Sequence, residues 1–335
     1  MNEEKEITQE VEKKVNEENI NNQNQEIKNM YEKIDIDNID VLVNKSNENS
    51  SQFAKHYNKI KKISSLVMIL CMTLVLVLLF VFGNNGAFIG IAIALVVLYF
   101  IAIMVFSKKV KTKLNEESLN IVKDYFINLD SYILNDENIK EAKFNYDVKL
   151  PEDTFKNLKI CKDICHVGGR DFITGYYKNV SFIAGDNLVK TNETKEDGTK
   201  QEYVVFLGKL FVFNVSLLRE GRALIYLKGK GANGPTDIEG LELKEGVLSE
   251  KFAVYANTDV TELISSIKEQ LERFEISDLL LDMFISITED KIGFGFSYVD
   301  SVMSVPLLDP VKKEDLLQYK NDTDIMFSIM DILVK

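Results

Sequence analysis

Apolar and polar positions alternate with three different periods along this chain, and each period predicts a different kind of structure. Residues 1–54 are polar: stretches such as NEENINNQNQEIKN and NKSNENSSQ hold too little apolar surface to offset chain entropy. They predict a disordered tail, with a short transient helix at Ile7, Val11 and Val15. Ile63 to Phe82 and Ala87 to Phe106 are then two uncharged runs of 20 residues each, and about 20 apolar residues make a helix that crosses a bilayer's hydrocarbon core. Gly83, Asn84, Asn85 and Gly86 tolerate positive φ, so the chain is expected to reverse between them. The pattern therefore predicts a transmembrane helical hairpin over residues 55–113. Gly86, Gly90 and Ala94 recur every four residues and predict a small-residue stripe for close helix packing, within the hairpin or against a second copy.

From residue 114 the pattern changes again. Leu119, Val122, Phe126, Leu129 and Ile133 fall at helical spacing and predict an amphipathic stalk helix. From about Phe144, segments such as DFITGYYKNVSFIAGDNLVKT, QEYVVFLGKLFVFNVS, RALIYLKGK, LELKEG, KFAVYA and DMFISITEDKIGFGFSYVDSVMSVP read as strands punctuated by Gly, Asn and Asp. Helices are expected at Pro151–Cys165, at Asp259–Phe274 with Asp259 and Glu262 as a capping box, and at Asp322–Val334. Few helices between many strands imply antiparallel pairing. The expected class is α+β: a disordered tail, a membrane hairpin, and a β-rich cytosolic domain over 114–335.

Charge sharpens this picture. The net charge is −12, but residues 1–54 carry 6 Lys against 13 Asp/Glu, whereas 55–113 carry 8 Lys and no acid. Those lysines, Lys55, Lys59, Lys61, Lys62, Lys108, Lys109, Lys111 and Lys113, flank the apolar runs. Positive flanks stay cytoplasmic, which predicts a multi-pass cell-membrane protein with both termini in the cytoplasm. The lipid bilayer is then an expected partner, along with another membrane-proximal protein or a second copy. An acidic cytosolic domain is repelled by nucleic acid, so none is expected there.

Candidate chemistry is sparse. GKGANG, Gly229 to Gly234, matches a dinucleotide-binding pattern, but the following Pro235, Thr236 and Asp237 supply no helix N-terminus for a pyrophosphate. It reads as a turn, and no cofactor is expected. Cys161, Cys165 and His166 cluster in sequence, yet a structural zinc needs four ligands and the only other histidine is His56. The two cysteines are expected to fill an apolar niche four residues apart on a helix; the enzymatic alternative makes Cys165 and His166 a nucleophile–base pair. Among 52 acidic residues no carboxylate pair stands out for acid–base work, so no catalytic or metal site is expected.

The order GRDFITGYYKNVSFIAGDNL, FLGKLFVFNVSLLREGRALIYLKG, SEKFAVYANTDVTELISSIKEQLERF and DIMFSIMDILVK resembles a bacterial family described as domain of unknown function 3137. In that pattern a Phe-x-Gly strand (Phe206, Gly208) leads to a Gly-Arg strand (Gly221, Arg222), and an F-x-V-Y element (Phe252 to Tyr255) precedes a helix. The resemblance implies two adjacent membrane helices and a cytosolic domain, and it carries no catalytic residue. The acidic leader departs from it. The expected function is a membrane-anchored, non-enzymatic interaction or scaffold domain. The alternatives are a lipid-binding domain at the membrane surface and an enzyme using Cys165 and His166.

Overall fold

A computed structural model describes residues 39–82, 108, 110, 112–127, 129–130, 133, 136–194, 198–228, 237–248, 250–299, 307 and 310–334. The expected tail up to residue 38, the turn at 83–86, the second expected span at 87–106 with Gly86, Gly90 and Ala94, the flanking Lys109 and Lys111, and GKGANG lie outside the described residues. The chain divides into two compact units, one formed by residues 43–125 with 306–311, the other by residues 1–42, 126–305 and 312–335.

The first unit is helical. Helix α1, Ile39–Phe82, runs 44 residues without a break, and α2 covers residues 112–127. In its first half α1 is amphipathic: Ser46, Ser50 and Phe53 are buried at successive-turn spacing, and Phe53 stacks on Tyr57 with ring centroids 6.3 Å apart. Asn47 Oδ1 accepts from the Val311 amide at 2.6 Å, and His56 Nδ1 meets Glu117 Oε2 at 2.8 Å, which ties α2 to α1.

Among the described residues no helix is long and apolar enough to cross a membrane. This overturns the expected transmembrane hairpin, the membrane class attached to it, and the multi-pass cell-membrane location with both termini cytoplasmic. The physical reason is continuity. Lys55, Lys59, Lys61 and Lys62 do not cap a separate span; they sit inside one unbroken helix whose first half is polar and amphipathic. Lys108 and Lys113 likewise lie in helical backbone beside and within α2.

The second unit is built on nine strands: β1 Ile139–Asn145, β2 Ile164–Tyr177, β3 Val180–Thr194, β4 Lys200–Phe213, β5 Ala223–Leu227, β6 Glu242–Leu243, β7 Phe252–Ala256, β8 Leu280–Ile287 and β9 Ile292–Tyr298. They form one sheet in the order β1-β2-β3-β4-β9-β8-β5-β7-β6, every pair antiparallel. The expected antiparallel α+β domain is therefore present. Central strands are buried on both faces, which is why β9 (IGFGFSY) and the second half of β4 read as almost unbroken apolar runs.

Alternation sends successive side chains to opposite faces. One face carries Phe182, Phe211, Phe213, Phe294, Phe296, Ile285 and Val254 and is covered by α4 (Thr261–Arg273) and α5 (Lys313–Leu333). There Tyr177 stacks on Phe327 at 4.6 Å, and Phe252 meets Phe274 at 6.5 Å. The other face carries Val189, Phe206, Leu210, Val212, Leu224 and Phe284 under a short cover of Leu150, Phe155, Leu158 and Ile160. Phe284 lies directly over Gly295, where an added Cβ would come within 2.1 Å of its ring.

That cover corrects the helix expected at Pro151–Cys165. Only Asp153–Asn157 is helical (α3), and Lys159 and Asp163, at φ +51° and +53°, turn the chain out of the helix and into β2. The short element is pinned from outside: Ser286 Oγ donates to Leu158 O at 2.6 Å, and Arg222 donates to the carbonyls of Lys159 and Asp237. Helix α4 starts two residues later than expected, without the capping box. Asp259 Oδ1 instead accepts from the Thr261 amide at 2.9 Å, and Val260 takes the cap position. Helix α5 begins nine residues before the expected Asp322.

Candidate functional site

Three strands bring charged side chains to one point beneath α5. Lys209 sits on β4 between Leu207 and Phe211, and the register pairs it with Asp186 on β3. Its Nζ lies 3.1 Å from Asp186 Oδ1 and 2.7 Å from Asp130 Oδ1, contributed by the chain just beyond α2. Lys209 is 1 % exposed and Asp130 0 %. Tyr319 on α5 donates its hydroxyl to the same Asp130 oxygen at 2.6 Å.

A third aspartate arrives through a defect in β2. The β2–β3 register shifts between Arg170 and Ile173, a bulge in which Asp171 adopts φ +58°, a conformation that Asp accepts more readily than most residues. The Asp171 amide donates to Tyr146 O at 3.1 Å, and its fully buried carboxyl turns inward. Arg170 ion-pairs with it, Nε to Oδ2 at 3.5 Å, while its guanidinium lies 3.8 Å over the Phe126 ring. Beside this cluster, Tyr298 donates to Asp322 Oδ2 at 2.7 Å and Gln318 to Asp322 Oδ1 at 2.6 Å.

Burial and mutual repulsion shift these groups strongly. Asp171 is pushed up to about 10, first by desolvation and then by the charges of Asp186 and Asp130. Asp130 rises to about 6 by desolvation, held down by Lys209. Desolvation raises Asp322 to about 7, against its two hydrogen bonds. For Lys209 burial works against the charge, but the surrounding aspartates outweigh it and the ammonium stays protonated. Such clustering of shifted groups often marks a functional site. Here, however, every member lies under α5 at no more than 8 % exposure apart from Arg170, and among the described residues no group of His, Cys, Asp and Glu is placed to hold a metal ion.

The residues singled out from sequence behave differently. Cys161 is buried in the apolar cover of α3, whereas Cys165 is exposed on β2 with its Sγ 3.4 Å from Lys190 O. They are not neighbours on one helix. His166 lies beside Gly168, whose added Cβ would sit 3.2 Å from His166 Nε2. The β2–β3 register shifts between Ile164 and His166, so Cys165 stands in a bulge next to His166, with its Sγ turned to the Lys190 carbonyl. Nothing local in the sequence distinguishes the buried aspartates from the chain's other acidic residues. The one usable signal was Lys209, a lysine inside the apolar run FLGKLFVF.

No family model matches the chain, and no curated protein matches its sequence. Among solved structures it is similar to the mycobacterial trehalose monomycolate transport factor A, TtfA, at 8% identity and a TM-score of 0.31, over 61% of this chain and 93% of that one. A likeness of that size carries no argument about function, and the fold and its buried charges stand on their own geometry.

Proposed function

We propose that this chain is a non-enzymatic interaction domain that self-associates through the apolar half of α1. The observation that carries the reading is exposure: between Ile63 and Val81 eleven large apolar side chains are 41–92 % exposed, Phe80 most of all. Contiguous apolar surface on that scale marks an interaction site. A 20-residue helix is about 30 Å long, enough to contribute the roughly 800 Å² per partner that a stable interface needs. A second copy supplies the matching surface, because a twofold pairing sets the same patch against itself. Lys55, Lys59, Lys61 and Lys62 precede the patch, so an antiparallel pairing keeps the two lysine clusters apart.

Two features support a non-catalytic role. The cluster of Lys209, Asp130, Asp171 and Asp186 is buried, out of reach of a substrate, and the exposed Cys165 turns its Sγ to the Lys190 carbonyl. The test is the oligomeric state of the purified full chain by sedimentation, compared with a Leu66→Glu, Ile69→Glu, Phe80→Glu variant. A wild-type oligomer that the variant converts to monomer is the expected result. A wild-type monomer at micromolar concentration, or recovery of the wild type only with lipid vesicles and never as a protein oligomer, would overturn the proposal.

A further inference from the structure

The buried cluster does not balance as three carboxylates. Lys209 donates to Asp130 Oδ1 and stands against Asp186 Oδ1, and Tyr319 donates to Asp130 Oδ1. Asp130 Oδ2, Asp186 Oδ2 and both oxygens of Asp171 have no hydrogen-bond partner, and all are inaccessible. Buried acceptors left in that state cost several kcal/mol each in the charged form. One added proton repairs half of the deficit, because a protonated Asp171 can donate to Asp186 Oδ2 and so satisfy one oxygen on each residue.

We propose that Asp171 is held as a neutral carboxylic acid sharing its proton with Asp186, and that this proton latches α5 and Asp130 onto the sheet. Every element around the pair contributes a group. Strand β2 supplies Arg170 and Asp171, β3 Asp186, β4 Lys209 and β9 Tyr298. The chain beyond α2 supplies Asp130, and α5 supplies Tyr319 and Asp322. With the proton present, the inner cluster holds one ammonium, two carboxylates and one acid, and Arg170 offsets the remaining negative charge from the rim. With the proton lost to solvent, three carboxylates face each other around one ammonium in a site sealed from water. The cluster then relaxes by releasing the elements that seal it, α5 and the Asp130 segment.

The direction follows from linkage. The native state holds a proton that the unfolded chain gives up near the ordinary carboxylate range, so the contribution is complete at low pH and is lost as pH rises toward 10. Between pH 8 and 9.5 the other raised carboxyls, at about 6 to 7, are about nine-tenths or more ionised. In that window the full chain should lose about tenfold in its folding equilibrium constant per pH unit. Asp171→Asn keeps a donor at the same place without a titrating proton and should flatten the slope. The decisive measurement needs no variant: in wild-type protein carrying 13C-labelled aspartate, one side-chain carboxyl signal should keep its protonated position at pH 8. If every aspartate carboxyl is ionised at pH 8, or if a folded Asp171→Asn variant retains the wild-type slope, the proposal fails.

Discussion

Replacing Lys209 with Met removes the one ammonium inside the cluster and leaves volume and helix contacts nearly unchanged. At an effective dielectric constant of about 20, unit charges at the observed 2.7 Å and 3.1 Å attract by about 6 and 5 kcal/mol before any desolvation is counted. Desolvating the three ions costs several kcal/mol each, so the intact cluster contributes far less than that gross attraction. Breaking it is different, because Asp130 and Asp186 stay buried without a counter-ion. The expected loss is 3–5 kcal/mol, on the order of what breaking a buried pair costs, and a large share of a typical domain's stability of about 5–15 kcal/mol. Urea unfolding followed by circular dichroism at pH 7.5 measures it directly. The stranded carboxyls bind protons more readily in the folded state than in the unfolded chain, so the deficit should shrink at pH 5 and grow with rising pH. A loss under about 1 kcal/mol, or a loss equal at both pH values, would refute the claim that Lys209 neutralises sealed charge.

Gly208→Ala should disrupt the pairing of β4 with β9, since an added Cβ would meet Phe296 O at 1.8 Å; a fall in stability of at least about 2 kcal/mol is expected, read from the thermal midpoint. Ser286→Ala removes the hydrogen bond to the buried Leu158 carbonyl and should cost about 1–2 kcal/mol in the same assay, while Ser286→Thr should cost less if the hydroxyl keeps its aim. In native protein an alkylating reagent should modify Cys165 well before Cys161, because Cys165 is exposed and Cys161 is buried; peptide mapping that finds Cys161 modified first would contradict the placement of α3 over the sheet.

The strands were legible because burial on both faces writes long apolar runs, and β7, β8 and β9 coincide with KFAVYA, DMFISI and IGFGFSY. Helix α4 was legible because Ile264, Ile267 and Leu271 fall on one buried stripe. At α3 periodicity misled: Phe155 and Leu158 do share a face, but backbone turns at Lys159 and Asp163 cut the helix short, and residues without glycine's freedom give no warning of a positive φ. The apolar run at 63–82 predicts a span beginning at a lysine cuff, whereas α1 passes through those lysines without interruption. The cluster was illegible for another reason. Asp130, Asp171 and Asp186 lie on three separate elements, and only the β2 bulge, absent from any alternation pattern, turns Asp171 inward.

The strand order has a consequence for synthesis. Strands β8 and β9 are made late yet sit between β4 and β5, so a nascent chain translated only through Ala256 holds two half-sheets, each with an unfilled inner edge. Until residues 280–298 emerge from the ribosome, those edges are open to strands of neighbouring polypeptides, and a truncation in the interval should aggregate rather than fold.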